Sequence, residues 1–390
     1  MHPFNQHRLQ KNLIPQAGYS QTGFSLVELL VGLVIGLIVS LVIMQIFSVF
    51  EGQKRTTSGT ADAQTSGSVA LYSIQRDVQL AGYGLPLYDR TNMPLTCTTT
   101  SFDHDGNGAT PNINTIPIAI TDGALATDSD TVTVRYGTSA SAGIPVLVKN
   151  IAGTTVTVDT NMACANDPYN DTIPKRNSVY AVTGNTDCTV TMVNDTNANL
   201  AAAPQSITLL NTAGLTIDKT SLACLGEWRE VIYTVNANNE LTRNDEPIIT
   251  GIVNIQAQYG ISANPTNNAT GNHIAQWVDA TGVWAAPGNT SATCDLANAN
   301  RNCIKAVRIA VVARNGLLEK LPAVSTACSS TTAANPTGVC AWDATSAAPV
   351  NASPAPVIDL SNTQNWDQYR YKVYETIIPL RNLVWTKERL

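Results

Sequence analysis

Hydrophobic and polar positions divide the chain into two unlike stretches. From Phe24 to Phe50, 27 consecutive residues carry a single charge, Glu28, and otherwise only Ser25, Ser40, Gln45 and Ser48 break the apolar run. As a helix this run would be about 40 Å long at ~1.5 Å per residue, more than the ~30 Å hydrocarbon core of a bilayer. It predicts one membrane-spanning helix. Between 51 and 82 the pattern stays helical but loose. Gly52, Gly59 and Gly67 each weaken a helix by about 1 kcal/mol relative to Ala. Val69, Ile74, Val78 and Ala81 approximate one apolar stripe, and Gly82 supplies a stop.

After Tyr83 the period changes to two. Thr131–Tyr136, Thr154–Val158, Thr189–Val193, Val231–Val235, Ile252–Tyr259, Val307–Val312 and Tyr371–Leu380 alternate apolar with polar residues between clusters of Asn, Gly, Asp and Pro. That rhythm predicts antiparallel sheet. The Asn-, Thr- and Ala-rich stretches 263–301 and 325–356 read as long surface loops. The expected fold is α+β, a long N-terminal helix packed on a large, loop-rich antiparallel domain. Its divisions are 1–23, a leader; 24–50, the membrane helix; 51–82, the continuation of that helix; and 83–390, the β-rich domain.

Charge adds orientation. Residues 1 to 23 hold Arg8 and Lys11 and no acid, and positive charge before a span keeps that end in the cytoplasm. Without the leader the formal net charge moves from −6 to −8. No cluster of Lys and Arg interleaved with aromatics appears, which disfavours nucleic acid as a partner. All eight cysteines, Cys97, Cys164, Cys188, Cys224, Cys294, Cys303, Cys328 and Cys340, fall on the translocated side. An even count there reads as disulfides. Close spacing favours Cys294–Cys303 and Cys328–Cys340, and leaves Cys188–Cys224 and Cys97–Cys164 by elimination.

Glu28 is the residue the apolar pattern does not explain. An acid at the centre of a bilayer costs roughly 2.5–3.5 kcal/mol on insertion scales, and an acid within the span marks a functional position by default. Gly23-Phe24-Ser25-Leu26-Val27-Glu28-Leu29-Leu30, behind a short basic leader, resembles the class III signal of type IV pilins and pseudopilins. The resemblance implies that a prepilin peptidase cuts between Gly23 and Phe24, that the new amine of Phe24 is N-methylated, and that Glu28 neutralises such an amine as the subunit enters a filament. A buried charge is tolerable when paired and costly when alone.

Gln75-Arg76-Asp77-Val78-Gln79-Leu80-Ala81-Gly82-Tyr83-Gly84 narrows the resemblance to the PilW group of minor pilins. Asp128 to Tyr136, Ile304 to Arg314 and Tyr371 to Asn382 agree with it. It implies a structural and assembly subunit rather than an enzyme, with other minor pilins, the major pilin, a PilY-type tip adhesin and the inner-membrane assembly platform as partners. It places the domain in the periplasm before assembly and at the pilus tip afterwards. A J-type pseudopilin of type II secretion shares the anchor and is the nearest alternative; a calcium-dependent tip adhesin is another.

Other signals are bland. Arg76 and Asp77 fit a solvated helix face as well as a PilW-like helix end, Arg381-Asn382 an ordinary strand end as well as a PilW-like closing strand, and Gly32 and Gly36 either a merely small stretch of helix or a close-packing face between helices. Trp277, Trp284, Trp342, Trp366 and Trp385 read as packing residues; Trp228 sits beside a charged run and says little. Calcium is the one cofactor the sequence brings forward. Asp103-His104-Asp105-Gly106-Asn107-Gly108 opens like a calcium loop, with Asp103, Asp105 and Asn107 as ligands, but its twelfth position is Asn114 rather than Glu. No G-x-S-x-G, H-E-x-x-H or P-loop occurs.

Overall fold

The computed structural model describes residues 23–85, 96–102, 110–141, 143–164, 177–183, 187–194, 203–265, 272–288, 291–319, 336–342 and 353–384. The chain falls into two units, Met1–Arg55 and Thr56–Leu390.

Helix α1 covers Leu26–Gln79, 54 residues. Its apolar side chains from Leu26 to Phe50 are all exposed. Among the described residues it is the one helix long and apolar enough to cross a membrane.

The strands, in chain order, begin with β1 (Thr96–Phe102), β2 (Thr110–Asn114), β3 (Ile118–Thr121), β4 (Thr131–Gly137), β5 (Val146–Ala152) and β6 (Thr155–Val158). Then come β7 (Ser178–Thr183), β8 (Asp187–Met192), β9 (Gln205–Thr208), β10 (Thr220–Gly226), β11 (Trp228–Val235) and β12 (Glu240–Arg243). Last are β13 (Glu246–Thr250), β14 (Ile252–Ile261), β15 (Gln276–Asp279), β16 (Ile304–Arg314), β17 (Tyr371–Pro379) and a closing helix, α2 (Arg381–Val384).

They form three sheets: eight strands ordered β2-β1-β8-β7-β10-β5-β6-β9, five ordered β13-β12-β11-β4-β3, and four ordered β15-β14-β16-β17. Every pairing is antiparallel except β1 with β8, which run parallel through Thr98↔Thr189 and Thr99↔Val190.

Alternation along β16 explains the four-stranded sheet. Val307, Ile309, Val311 and Ala313 join the core that includes α1. Val312, on the other face, packs with Val339, Ile358, Leu360 and Tyr371. Both faces are therefore covered, and every residue of β16 but Arg314 is buried. Such a strand reads as a near-continuous apolar run rather than a clean alternation.

Small residues let α1 lie close on that sheet. Its buried positions are Gly59, Ala63, Gly67, Ala70, Ile74, Asp77 and Val78. A Cβ at Gly67 would come within 2.3 Å of the Tyr374 ring, and one at Gly59 within 2.9 Å of Asn315 Cβ. These glycines, expected only to weaken the helix, set the approach distance. Val69, expected on the buried stripe, is 47% exposed, and Ala70 takes its place.

The eight-stranded sheet is built from two excursions, before β3 and between β4 and β11. Its own core gathers Val146, Val148, Val156, Val158, Val179 and Ile207, with Tyr180, Val190, Leu225 and Trp228 in an adjoining cluster. Trp228 is 4% exposed, so it is a core residue despite its charged neighbours.

The disulfides correct the expected pairing. Cys164 bonds Cys224, with Cα atoms 5.6 Å apart, which excludes both Cys97–Cys164 and Cys188–Cys224. Elimination by spacing failed because Cys224, on β10, lies in the same small core as Cys164, 60 residues away in sequence. Cys294 bonds Cys303. Cys188 and Cys340 are disulfide-bonded, and Cys328 lies outside the described residues.

Candidate functional site: the helix start and its docking end

Gly23, Phe24 and Ser25 carry no regular secondary structure, and α1 begins at Leu26, where the Leu29 N–H donates to Ser25 O at 3.1 Å. Glu28 sits in the first helical turn. The first four N–H groups of a helix lack internal partners and carry partial positive charge. A carboxylate there is favoured by the helix as well as by any amine brought near it. Phe24 is 81% exposed. Cβ atoms at Gly32 or Gly36 would meet open space. The Ser40 hydroxyl donates back to Gly36 O at 2.8 Å, so this polar group is satisfied inside the helix.

The other end of α1 is held by the segment read as a solvated face. Asp77 is only 3% exposed. Its Oδ2 accepts from Tyr233 Oη at 2.7 Å and from Arg243 Nε at 3.0 Å. Burial, then the bond to Asp77, holds the Tyr233 phenol well above its usual range, so Tyr233 stays a neutral donor. Asp77 thus pins the helix to β11 and β12. The expectation of a solvated face holds for Arg76, which is exposed, and fails for Asp77, which lies on the inner stripe, one residue before Val78.

The A-G-Y-G turn has a reason at each residue. Gly82 has φ +76°, a left-handed conformation that glycine adopts without strain. Its N–H donates to Arg135 O at 2.9 Å. Tyr83 Oη donates to Ser139 O at 3.1 Å, and Tyr83 O accepts from the Gly137 N–H at 2.7 Å. Arg135 in turn pairs with Glu230. Arg381-Asn382 is not a strand end: it opens α2, and Asn382 Nδ2 donates to Gln79 O at 3.3 Å and Ala81 O at 3.1 Å. The first is the carbonyl of the last residue of α1, one a helix leaves unpartnered, and the second lies in the turn just beyond it. The last of the described elements thereby caps the first. Spacing over some 300 residues could not show this; the signal available was only an Asn just after a long strand.

Two protein families match the chain. The prokaryotic N-terminal methylation motif matches residues 19–44, and the type IV pilus-assembly protein W family, PilW, matches residues 219–382. Together the two matches support a PilW-type minor pilin of the type IV pilus. The first match contains Gly23, Phe24 and Glu28; the second runs from β10 to α2 and contains Tyr233, Arg243 and Asn382, three of the side chains that hold the helix end. No curated protein and no solved structure matches the chain. Both families are structural components of the pilus, not enzymes, and the apolar helix with its methylation motif means membrane anchoring and pilus association.

The remaining Trp and calcium expectations fall as follows. Trp284 is 1% exposed and its Nε1 donates to Asp295 O at 2.9 Å. Trp277 and Trp342 stack on either side of Arg308, at 5.0 and 4.8 Å from ring centroid to guanidinium. Trp385, Asp103, Asp105 and Asn107 lie outside the described residues. Among the described residues no group of three His, Cys, Asp or Glu is placed to hold a metal ion.

Proposed function

We propose that this minor pilin acts in a tip-proximal complex that primes polymerisation of the major pilin. The precursor inserts with its leader in the cytoplasm, a prepilin peptidase cleaves Gly23–Phe24, and the Phe24 amine is methylated. Glu28 then pairs with an amine, its own or a neighbour's, as α1 leaves the membrane for the filament. The partners are other minor pilins, the major pilin, a PilY-type adhesin and the inner-membrane platform.

The observation that carries the tip position is size. Three sheets and 17 strands among the described residues ride on one helix, a bulk that suits the end of a fibre better than repetition along a packed shaft. Deleting the gene tests this in retraction-competent and retraction-deficient backgrounds. The expected result is loss of surface pili with normal type II secretion, partly restored when retraction is blocked. Normal pili with failed secretion would instead make the protein a J-type pseudopilin.

A further inference from the structure

A helix packed on a domain normally turns a polar face outward. The docked part of α1 does not. Its inner stripe, through Ala70, Ile74 and Val78, packs in the core. On the outer side Val69, Tyr72 and Leu80 are 47%, 65% and 36% exposed. Arg76 between them is exposed as well. Steps of three, four and four residues put all four side chains on one line of the helix. Single apolar residues on a surface need no explanation. Three in helical register are the anchors by which a helix meets another surface.

Arg76 sets the charge of this line. The Asp77 carboxylate beside it is turned inward and taken up by Tyr233 and Arg243. Asp62, the next acid toward the N-terminus, stands 14 residues earlier, about 21 Å away at ~1.5 Å per residue. Among the described residues no acid forms an ion pair with Arg76. Arg381, next to the Asn382 that bonds Gln79 O, adds an exposed cation at the same end of the helix. A helix C-terminus favours a cation in its last turn, which accounts for the charge of Arg76 but not for the apolar residues around it.

Two features point to what covers the line. It lies on the helix whose exposed apolar start and methylation motif mean pilus association, so the surface continues one already used for assembly. Its charge disfavours a second copy of this chain. A two-fold contact sets a patch against itself, which would bring Arg76 near its own mate, and like charges so placed repel. We propose that the Val69–Tyr72–Leu80 line is a heterotypic docking surface, covered by an apolar face of a different pilus subunit whose carboxylate pairs with Arg76. This rests on the family matches and not on the tip position.

The test is photo-crosslinking in whole piliated cells, with the full-length chain carrying p-benzoylphenylalanine in place of Tyr72. The expected product joins this chain to a different pilus subunit, identified by mass spectrometry, with an Asp or Glu within one helical turn of the crosslinked residue. The same probe in place of Gln64, exposed but off the line, should give far less of it. Arg76→Glu should cut the yield at position 72 about tenfold, and Arg76→Lys should retain most of it. Since Arg76→Glu also sets an acid at a helix C-terminus, Arg76→Gln is measured beside it. That variant should lose about threefold with a thermal midpoint close to the parent's. A product only with a second copy of this chain, none above the Gln64 level, or equal yields from the parent and Arg76→Glu overturns the proposal. Pili that survive gene deletion would sink tip priming and leave the crosslink in place; a missing crosslink with pili lost on deletion would sink this surface alone.

Discussion

The four-stranded sheet and the eight-stranded sheet solve the burial problem in opposite ways. The first uses two long central strands, β14 of 10 residues and β16 of 11, covered by α1 on one face and by the 336–342 and 353–360 segments on the other. The second uses strands of 4 to 7 residues, takes no helix, and is stapled by Cys164–Cys224. The PilW match spans all of the first sheet and only β10 of the second. The part that must receive a helix is fixed by packing to small residues. The part that does not is assembled from excursions that leave and rejoin the five-stranded sheet.

The largest effect should come from the staple. In the chain-entropy account, a bridge across about 60 residues stabilises by about 4 kcal/mol. The paired substitution Cys164→Ala, Cys224→Ala should therefore raise hydrogen exchange throughout β5 to β10 while leaving β14 and β16 protected. Equal loss of protection in β14 and β16 would mean that the two sheets unfold as one.

Asp77→Ala should act in the reverse place. It removes the partner of the partly exposed Arg243 and one of the two acceptors of the buried Tyr233 hydroxyl, which keeps Ser73 O at 3.1 Å, so the cost is about 2 kcal/mol. Exchange in α1 residues 70–79 and in β11 and β12 should rise, with β5 and β6 unaffected. A thermal midpoint equal to that of the parent would remove Asp77 from the docking account.

Gly67→Val pushes the Tyr374 ring and should cost about 1–3 kcal/mol. Gly67→Ala, helped by ~1 kcal/mol of helix propensity, should cost less. If valine is as stable as glycine by thermal unfolding, close approach does not set the helix position. The smallest change, Asn382→Ala, removes two caps and should cost about 1 kcal/mol, seen as faster exchange at the last turn of α1. No change there would leave α2 without a role at the helix end.

The sequence exposed the membrane end of α1 far better than its docking end. The apolar span and Glu28 were readable because bilayer burial penalises every polar residue and leaves one acid conspicuous, whereas the Gly23–Phe24 junction stood out only through its resemblance to the class III signal. Strands such as Thr131–Gly137 and Ile252–Ile261 were readable from alternation. The docking end was not. Asp77 is an acid on a helix, and only Tyr233 and Arg243, over 150 residues away, reveal that it faces inward. Gly59 and Gly67 looked like weak helix because their use depends on Asn315 and Tyr374. Cys164 finds Cys224 through a core that brings together residues 60 apart in sequence, a pairing that spacing alone does not show.

The account rests most on the start of α1, and its most direct test is mass spectrometry of pili sheared from the cell surface. The account predicts a peptide from this chain that begins at N-methylated Phe24, present at far lower abundance than the major pilin. A chain that keeps residues 1–23, or that stays in the membrane fraction and is absent from sheared fibres, would contradict it.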